Sequence, residues 1–185
     1  MHSVCPNQPG ALCRASNLCH YPDKTSIGLS WRALGHDFSQ ARLQGVTGMV
    51  TLNPDENRDD RIEVNIPVGT LVASNSLLTW QLKSDLFFDA ERYPLIHFVS
   101  SRVAALGEGN YRIFGTLPVK AVSRLVVMLA TLDSGKTIYT VSRLLALHAS
   151  TAISRSAFGM DRLVAVVDDR VNIALKIAAQ VREPR

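Results

Sequence analysis

After Cys19 this chain has no cysteine; Cys5, Cys13 and Cys19 all crowd into its first residues. An odd number cannot close a disulfide set within one chain, and no Cys-x-x-Cys pair is present. Three thiols beside His2 or His20 have the chemistry of a zinc site, but spacings of eight and six residues match no familiar ligand pattern. These residues are read as a loosely ordered leader over 1–20, ahead of a single domain over 21–185. Metal-ligating pairs are missing too. The five histidines, His2, His20, His36, His97 and His148, make no His-x-x-x-His or His-Glu-x-x-His, so no metalloenzyme site is expected. Gly-x-Ser-x-Gly, P-loop and Gly-x-Gly-x-x-Gly motifs are absent, which removes the nucleophile elbow and the glycine-rich phosphate cradles.

Charge is sparse as well, at 19% of residues with a net +4. The arginines are spread out, as in Arg92, Arg102, Arg112, Arg124 and Arg143, rather than gathered into a stripe. No nucleic-acid partner is therefore expected. The mild positive balance suits at most a transient association with an anionic membrane surface. No apolar run reaches the ~18 residues of a membrane span. The first residues lack the basic start and apolar run of ~7–15 residues that mark a secretory signal. The chain is accordingly read as soluble and without an export signal.

What the chain does contain is a period of two. Ile27, Leu29, Trp31 and Ala33 alternate with Gly28, Ser30 and Arg32; Ile62, Val64, Ile66 and Val68 alternate with Arg61, Glu63, Asn65 and Pro67. Tyr111, Ile113, Leu117 and Val119 oppose Arg112, Phe114 and Thr116, and Val171, Ile173, Leu175, Ile177 and Ala179 repeat the pattern near the end. Successive strand side chains point to opposite faces, so each run has one dry side. That suits antiparallel sheet with one buried face. Turn residues separate the runs at 53–57, at Gly107-Glu108-Gly109-Asn110 and at Asp133-Ser134-Gly135-Lys136. Many short strands imply a sandwich or a closed barrel. Ile138 to Leu147 is read as strand. One segment differs: Leu77, Leu78, Leu82, Leu86 and Phe87 approach helical spacing after Ser74 or Asn75, a suitable N-cap.

The segment from Asn75 to Ser101 reads NSLLTWQLKSDLFFDAERYPLIHFVSS, with Lys83-Ser84-Asp85, Phe87-Phe88-Asp89, Tyr93-Pro94 and Ile96-x-Phe98-x-Ser100; Gly115-Thr116-Leu117 and Arg155-x-x-Phe158-Gly159 follow. Together these resemble the YceI-like family over roughly Tyr21 to Ala179. The resemblance implies an all-β fold, a lipocalin-like antiparallel β-barrel of about eight strands, with one or two short helices near one opening. It implies non-catalytic binding, transport or sequestration of an isoprenoid-type, amphiphilic long-chain lipid, with no cofactor beyond such a lipid or a quinone, and a periplasmic location, the alternative being cytoplasmic. The chain departs from the family pattern at Trp80 and Gln81, at Ala157 and at Pro118. Pro118 lacks a donor and marks a sheet edge or bulge.

In such a barrel the inward residues would be Leu29, Trp31, Val50, Ile66, Val68, Ile96, Phe98, Ile113, Leu117, Ile173 and Leu175. Phe87 and Trp80 belong to the helical segment at the mouth. Phe38 lies in Gly35-His36-Asp37-Phe38-Ser39, where His36 resembles a family histidine that would bond backbone or a lipid headgroup. Arg155 is read as either a surface residue with its stem packed flat or a guanidinium at the mouth, followed by Phe158. Two other functions remain: a small enzyme or redox accessory at the His36/Asp37 end, and a dimeric interaction module with a self-filled core. Adjacent His, Asp and Ser on one strand point opposite ways, which argues against a triad.

Overall fold

The computed structural model describes residues 3–4, 12–13, 18–20, 25–35, 37–51, 60–134, 142–163 and 165–182. Its strands are β1 (Ser3–Val4), β2 (Leu12–Cys13), β3 (Leu18–His20), β4 (Ser26–Ala33), β5 (Asp37–Leu43), β6 (Thr47–Thr51), β7 (Arg61–Pro67), β8 (Val72–Ala73), β9 (Leu95–Gly107), β10 (Asn110–Val119), β11 (Val122–Ser134), β12 (Ser142–Ser154) and β13 (Arg170–Arg182). One α-helix, α1 (Ser76–Lys83), lies between β8 and β9. Within residues 1–20, β1 pairs with β2, β2 with β3, and β3 with the end of β13.

Antiparallel pairing runs β6-β7-β9-β10-β11-β12-β13-β4-β5, so the sheet curls until β5 continues along the chain into β6. Counting β5 and β6 as one bent strand, eight strands form the ring, as expected for the barrel. The bend needs a residue free of Cβ constraints, and Gly45 sits there at φ +66°. The Thr70 hydroxyl secures it, accepting from Gln44 N–H at 3.1 Å and lying 2.9 and 2.7 Å from the carbonyls of Gln44 and Pro67. Val46 beside it is wholly buried.

The dry faces of the sequence are the interior. Ile27, Leu29, Trp31, Ile62, Val64, Ile66, Ile113, Leu117, Val119, Leu175 and Ile177 are all buried in one core. Two expectations are corrected. Val68 is buried, but it stands in a 3-10 turn over Val68–Thr70 rather than on the strand, because its N–H bonds Pro94 O beyond the β7–β9 ladder. Asp133 and Ser134 extend β11 opposite Ala146 and Leu145 instead of turning, while Gly135 and Lys136 of the expected turn lie outside the described residues. The expected turn at 53–57 lies outside the described residues. The 107–110 turn forms as read, with Gly107, Glu108 and Gly109 all at positive φ. Pro118 falls where β10 has lost β9 as a neighbour and pairs only with β11, so its missing N–H breaks no ladder.

Four connections gather at one end of the barrel: the turn after Ala33, residues 68–94, the turn at 120–121, and residues 155–169. The register requires this, because Pro67 faces Leu95, Val119 faces Val122, Ser154 faces Arg170, and Ala33 bridges Val167. The helix α1 covers this end and buries Leu82. Asn75 caps it, its side-chain oxygen accepting from Leu78 N–H at 2.8 Å. Asn75→Ala should cost about 1 kcal/mol, read as a lower urea midpoint with an unchanged slope.

Candidate ligand cavity

Inside the half of the barrel nearest those connections is a cavity of about 100 Å³. Its walls come from Ile27 and Leu29 on β4, Leu43 on β5, Val64 and Ile66 on β7, Ile96 and Phe98 on β9, Leu117 and Val119 on β10, Val126 and Met128 on β11, Thr151 and Ile153 on β12, and Val171, Ile173 and Leu175 on β13. Phe88 and Met160 close it from the connecting segments. Among the described residues, no charged side chain borders it. The one hydroxyl, Thr151 Oγ1, already donates to Val127 O at 2.8 Å. The lining is therefore dry, and an engineered cavity with a comparable aliphatic lining, of ~150 Å³, stays empty of water and takes benzene.

The two closing residues are held by backbone hydrogen bonds. Phe88 N–H donates to Leu82 O at 3.0 Å and Ala90 N–H to Lys83 O at 2.9 Å, folding 84–90 back onto α1. Lys120 Nζ reaches across to Asp85 O at 2.9 Å. Met160 follows a 3-10 turn over Arg155–Phe158 that ends at Gly159 in the left-handed region. Arg155 is the centre of this connection. It is 4% exposed, and its guanidinium donates to four carbonyls: Asp168 (Nε, 3.0 Å), Met160 (Nη1, 2.6 Å), Arg162 (Nη1, 2.7 Å) and Val167 (Nη2, 2.8 Å). It is thus not a surface residue with a flat stem; its guanidinium lies behind Met160, which closes the cavity, and does not itself border the cavity. An arginine can satisfy several inward carbonyls at once because its donors fan out in a plane.

Beside it, Asp169 accepts from the hydroxyl of Ser154, from Ser156 N–H at 2.8 Å and from Ser156 Oγ at 2.9 Å. Those bonds, led by that from Ser154 and aided least by the Arg155 charge, hold the Asp169 carboxyl below its usual value. A lowered folded pKa means the stabilisation is complete above the unfolded value of ~3.9 and is lost as pH falls through the lower folded value. Asp169→Asn should therefore be less stable than the parent at neutral pH, and the gap should narrow at an acid pH below the unfolded value. Urea midpoints at both pH values would measure it; a gap that persists in acid would contradict the assignment.

The structure brings only part of the expected site together. Leu29, Ile66, Ile96, Phe98, Leu117, Ile173 and Leu175 border the cavity. Trp31, Val50, Val68, Ile113 and Phe158 are buried, but in packed core away from it. Phe87 is partly buried against the core without reaching the cavity. Trp80 is 68% exposed on the outer face of α1, and Phe38 is 63% exposed, with the Arg32 guanidinium 5.0 Å from its ring centroid. Phe38 is turned outward because the odd-numbered Ala41 and Leu43 hold the inward direction on β5, and Trp80 lies on the side of α1 opposite the buried Leu82. His36 lies outside the described residues, as does the Asp37 side chain. Leu43, Phe88, Val126, Met128, Thr151, Ile153 and Met160 were missed, and Ile27, Val64, Val119 and Val171, read as apolar strand positions, were not counted among the cavity residues. β11 carries Leu125, Val127 and Leu129 outward and Val126, Met128 and Ala130 inward; both faces are apolar, so the chain carries no period-two signal there.

Comparison with known proteins agrees with this geometry. A family model for the YceI-like domain matches residues 20–179. A UPF0312 protein of Shewanella denitrificans is 30% identical over 105 residues, 57% of this chain and 55% of that protein. One from Pseudomonas putida is 25% identical over 128 residues, 69% of this chain and 66% of its own length. The alignments with the first relatives thus span about half the length of those proteins. Among solved structures, Burkholderia cenocepacia BcnA superposes with a TM-score of 0.74 at 20% identity, covering 86% of this chain and 98% of that one. A polyisoprenoid binding domain from Saccharophagus degradans, implicated in plant cell wall breakdown, does so with a TM-score of 0.66 at 10% identity, covering 89% and 98%. With its barrel, its short covering helix and a family match over nearly all of that barrel, this chain belongs to the YceI-like family.

Proposed function

We propose that this protein binds an isoprenoid-type lipid by its apolar tail inside the barrel and carries or sequesters it without a chemical step. One observation carries the reading: the barrel encloses a cavity bordered by aliphatic, aromatic and thioether groups, with its single hydroxyl already bonded to the wall. A tail is held there by burial alone, at roughly 0.8 kcal/mol per CH₂. Among the described residues bordering the cavity, the Thr151 hydroxyl is the one polar side-chain group. Family membership and the likeness to a polyisoprenoid binding domain support a lipid-binding role. The headgroup, a quinone or a simple polar terminus, would sit at the end covered by 68–94 and 155–169. The same reading places the protein in the periplasm, with brief contact at a membrane surface to collect its cargo.

Native mass spectrometry of the purified protein, followed by organic extraction, tests this. A released species with isoprene-unit fragmentation supports it; an apo mass that takes up no added prenyl lipid refutes it. Filling the cavity provides the control. Leu117→Trp should leave the fold intact at a cost of about 1–3 kcal/mol and abolish uptake in the same assay.

A further inference from the structure

Large apolar side chains meet water at the covered end of the barrel. On α1, Leu78 and Leu82 pack toward the core, while Leu77 and Trp80, one turn apart on the other side, are 69% and 68% exposed. Leu86, just past the helix, is exposed as well. A surface helix ordinarily turns charged and polar groups to solvent. Here residues 68–84 hold no acidic side chain and a single basic one, Lys83.

The other long connection over this end repeats the pattern. Leu163 and Val166 are exposed, and Leu34 joins them through its N–H, which donates to Val166 O at 2.7 Å. Leu34 and Leu163 stand at φ +53° and +62°, a left-handed conformation that glycine or asparagine adopts at lower cost than leucine. Neither the backbone nor water favours leucine at these two places. A contact outside the molecule accounts for both.

These islands belong to the segments that close the cavity: Leu86 lies two residues before Phe88, and Leu163 three after Met160. Charge nearby is balanced, Lys83, Arg92 and Arg162 being set against Asp85, Glu91 and Asp161. The end therefore offers apolar burial rather than a field of one sign. Tryptophan and leucine on an exposed helix face are the groups that seat at the boundary between lipid headgroups and acyl chains. A water-insoluble tail, moreover, starts from a bilayer and not from solution.

Resting on the lipid-binding reading, we propose that the covered end docks on a phospholipid bilayer. Leu77, Trp80 and Leu86 on one connection, and Leu34, Leu163 and Val166 around the other, enter the headgroup–acyl boundary. Phe88 and Met160 then face the phase that holds the cargo, and a tail passes between them without crossing water.

The test is flotation of the full-length protein with phosphatidylcholine vesicles in low and high salt, together with tryptophan emission. The parent is expected to float in both, with emission shifted to the blue as Trp80 leaves water; Trp31 is already buried and adds a constant background. Leu77→Glu combined with Trp80→Glu should weaken binding at least about tenfold. Leu163→Asn suits the left-handed backbone, so it should raise the urea midpoint while weakening vesicle binding by about threefold or more, opposite movements that a purely structural role would not give. Leu129→Glu, on the exposed wall of β11, should bind as the parent does. No flotation by a parent that still takes up prenyl lipid from cyclodextrin overturns the docking and leaves lipid binding standing. Flotation that high salt abolishes, or that Leu129→Glu reduces as much as the end variants do, overturns the assignment of the face. A parent of two chains that Leu77→Glu with Trp80→Glu converts to one, without flotation, gives the face to a second copy and overturns the bilayer as its occupant. Flotation through this end with no uptake of any prenyl lipid supports the docking and removes the cargo reading on which its purpose rests.

Discussion

Arg155→Ala is expected to destabilise the fold by about 3–5 kcal/mol, the scale of losing one partner from a buried charged network. The four carbonyls that Arg155 satisfies, at Asp168, Met160, Arg162 and Val167, belong to a connection that is also tied to β4 by Leu34 N–H donating to Val166 O and Asp168 N–H donating to Arg32 O. Removing the side chain leaves those acceptors facing a void, and each unpaired buried group costs about 1–3 kcal/mol unless water reaches it. Arg155→Lys should recover only part of the loss, because one ammonium cannot span acceptors arranged around a plane. Chemical denaturation of the three proteins measures this. A loss below about 1 kcal/mol for the alanine variant would mean that water replaces the guanidinium freely. The change also carries to the cavity, since Met160, one of its two covers, accepts from Arg155 Nη1 and donates to Arg155 O at 3.1 Å.

The second large effect is expected at Gly115→Val. Its side chain would meet the Phe98 ring and the Val99 carbonyl at distances that real Cβ atoms do not adopt. The carbonyl is part of the β9–β10 ladder, where the register already shifts between Phe114 and Gly115. Either the ladder opens or Phe98 swings into the cavity. Overpacking of this kind costs about 1–3 kcal/mol, and more when backbone must move. Both responses occupy or distort the ligand space, so lipid uptake should be lost together with stability. Gly115→Val combined with Phe98→Ala tests the cause: if the ring is the obstruction, the double variant regains stability relative to Gly115→Val alone. A double variant no more stable than the sum of the singles would place the fault in the backbone instead.

Much of this molecule was legible because half-buried antiparallel strands write their orientation into the chain. The alternation around Ile27–Trp31, Ile62–Ile66 and Leu175–Ile177 names the inward face residue by residue, and those residues are in the core. The helix was visible from Asn75 and the spacing after it, since a cap has a local chemical cause. β11 was not legible in the same way, because a strand with Leu125 and Val127 outward and Val126 and Met128 inward has no polar face to announce the period. Arg155 was misjudged for a different reason. A lone arginine in a polar-looking stretch reads as surface, and only the return of residues 160–168 across it supplies the carbonyls that bury it.

The class of fold, the inward faces of most strands and the capped helix are properties of neighbours along the chain, which is why they could be read before any tertiary contact was known. The tertiary structure alone decided where those faces leave space and where they do not. Closure through the bend at Gln44–Val46 and the seating of Phe98 on Gly115 both depend on residues far apart in the chain. A cavity is a difference between the volume a ring of strands encloses and the volume its side chains occupy, and that difference is settled only when every strand has found its partner.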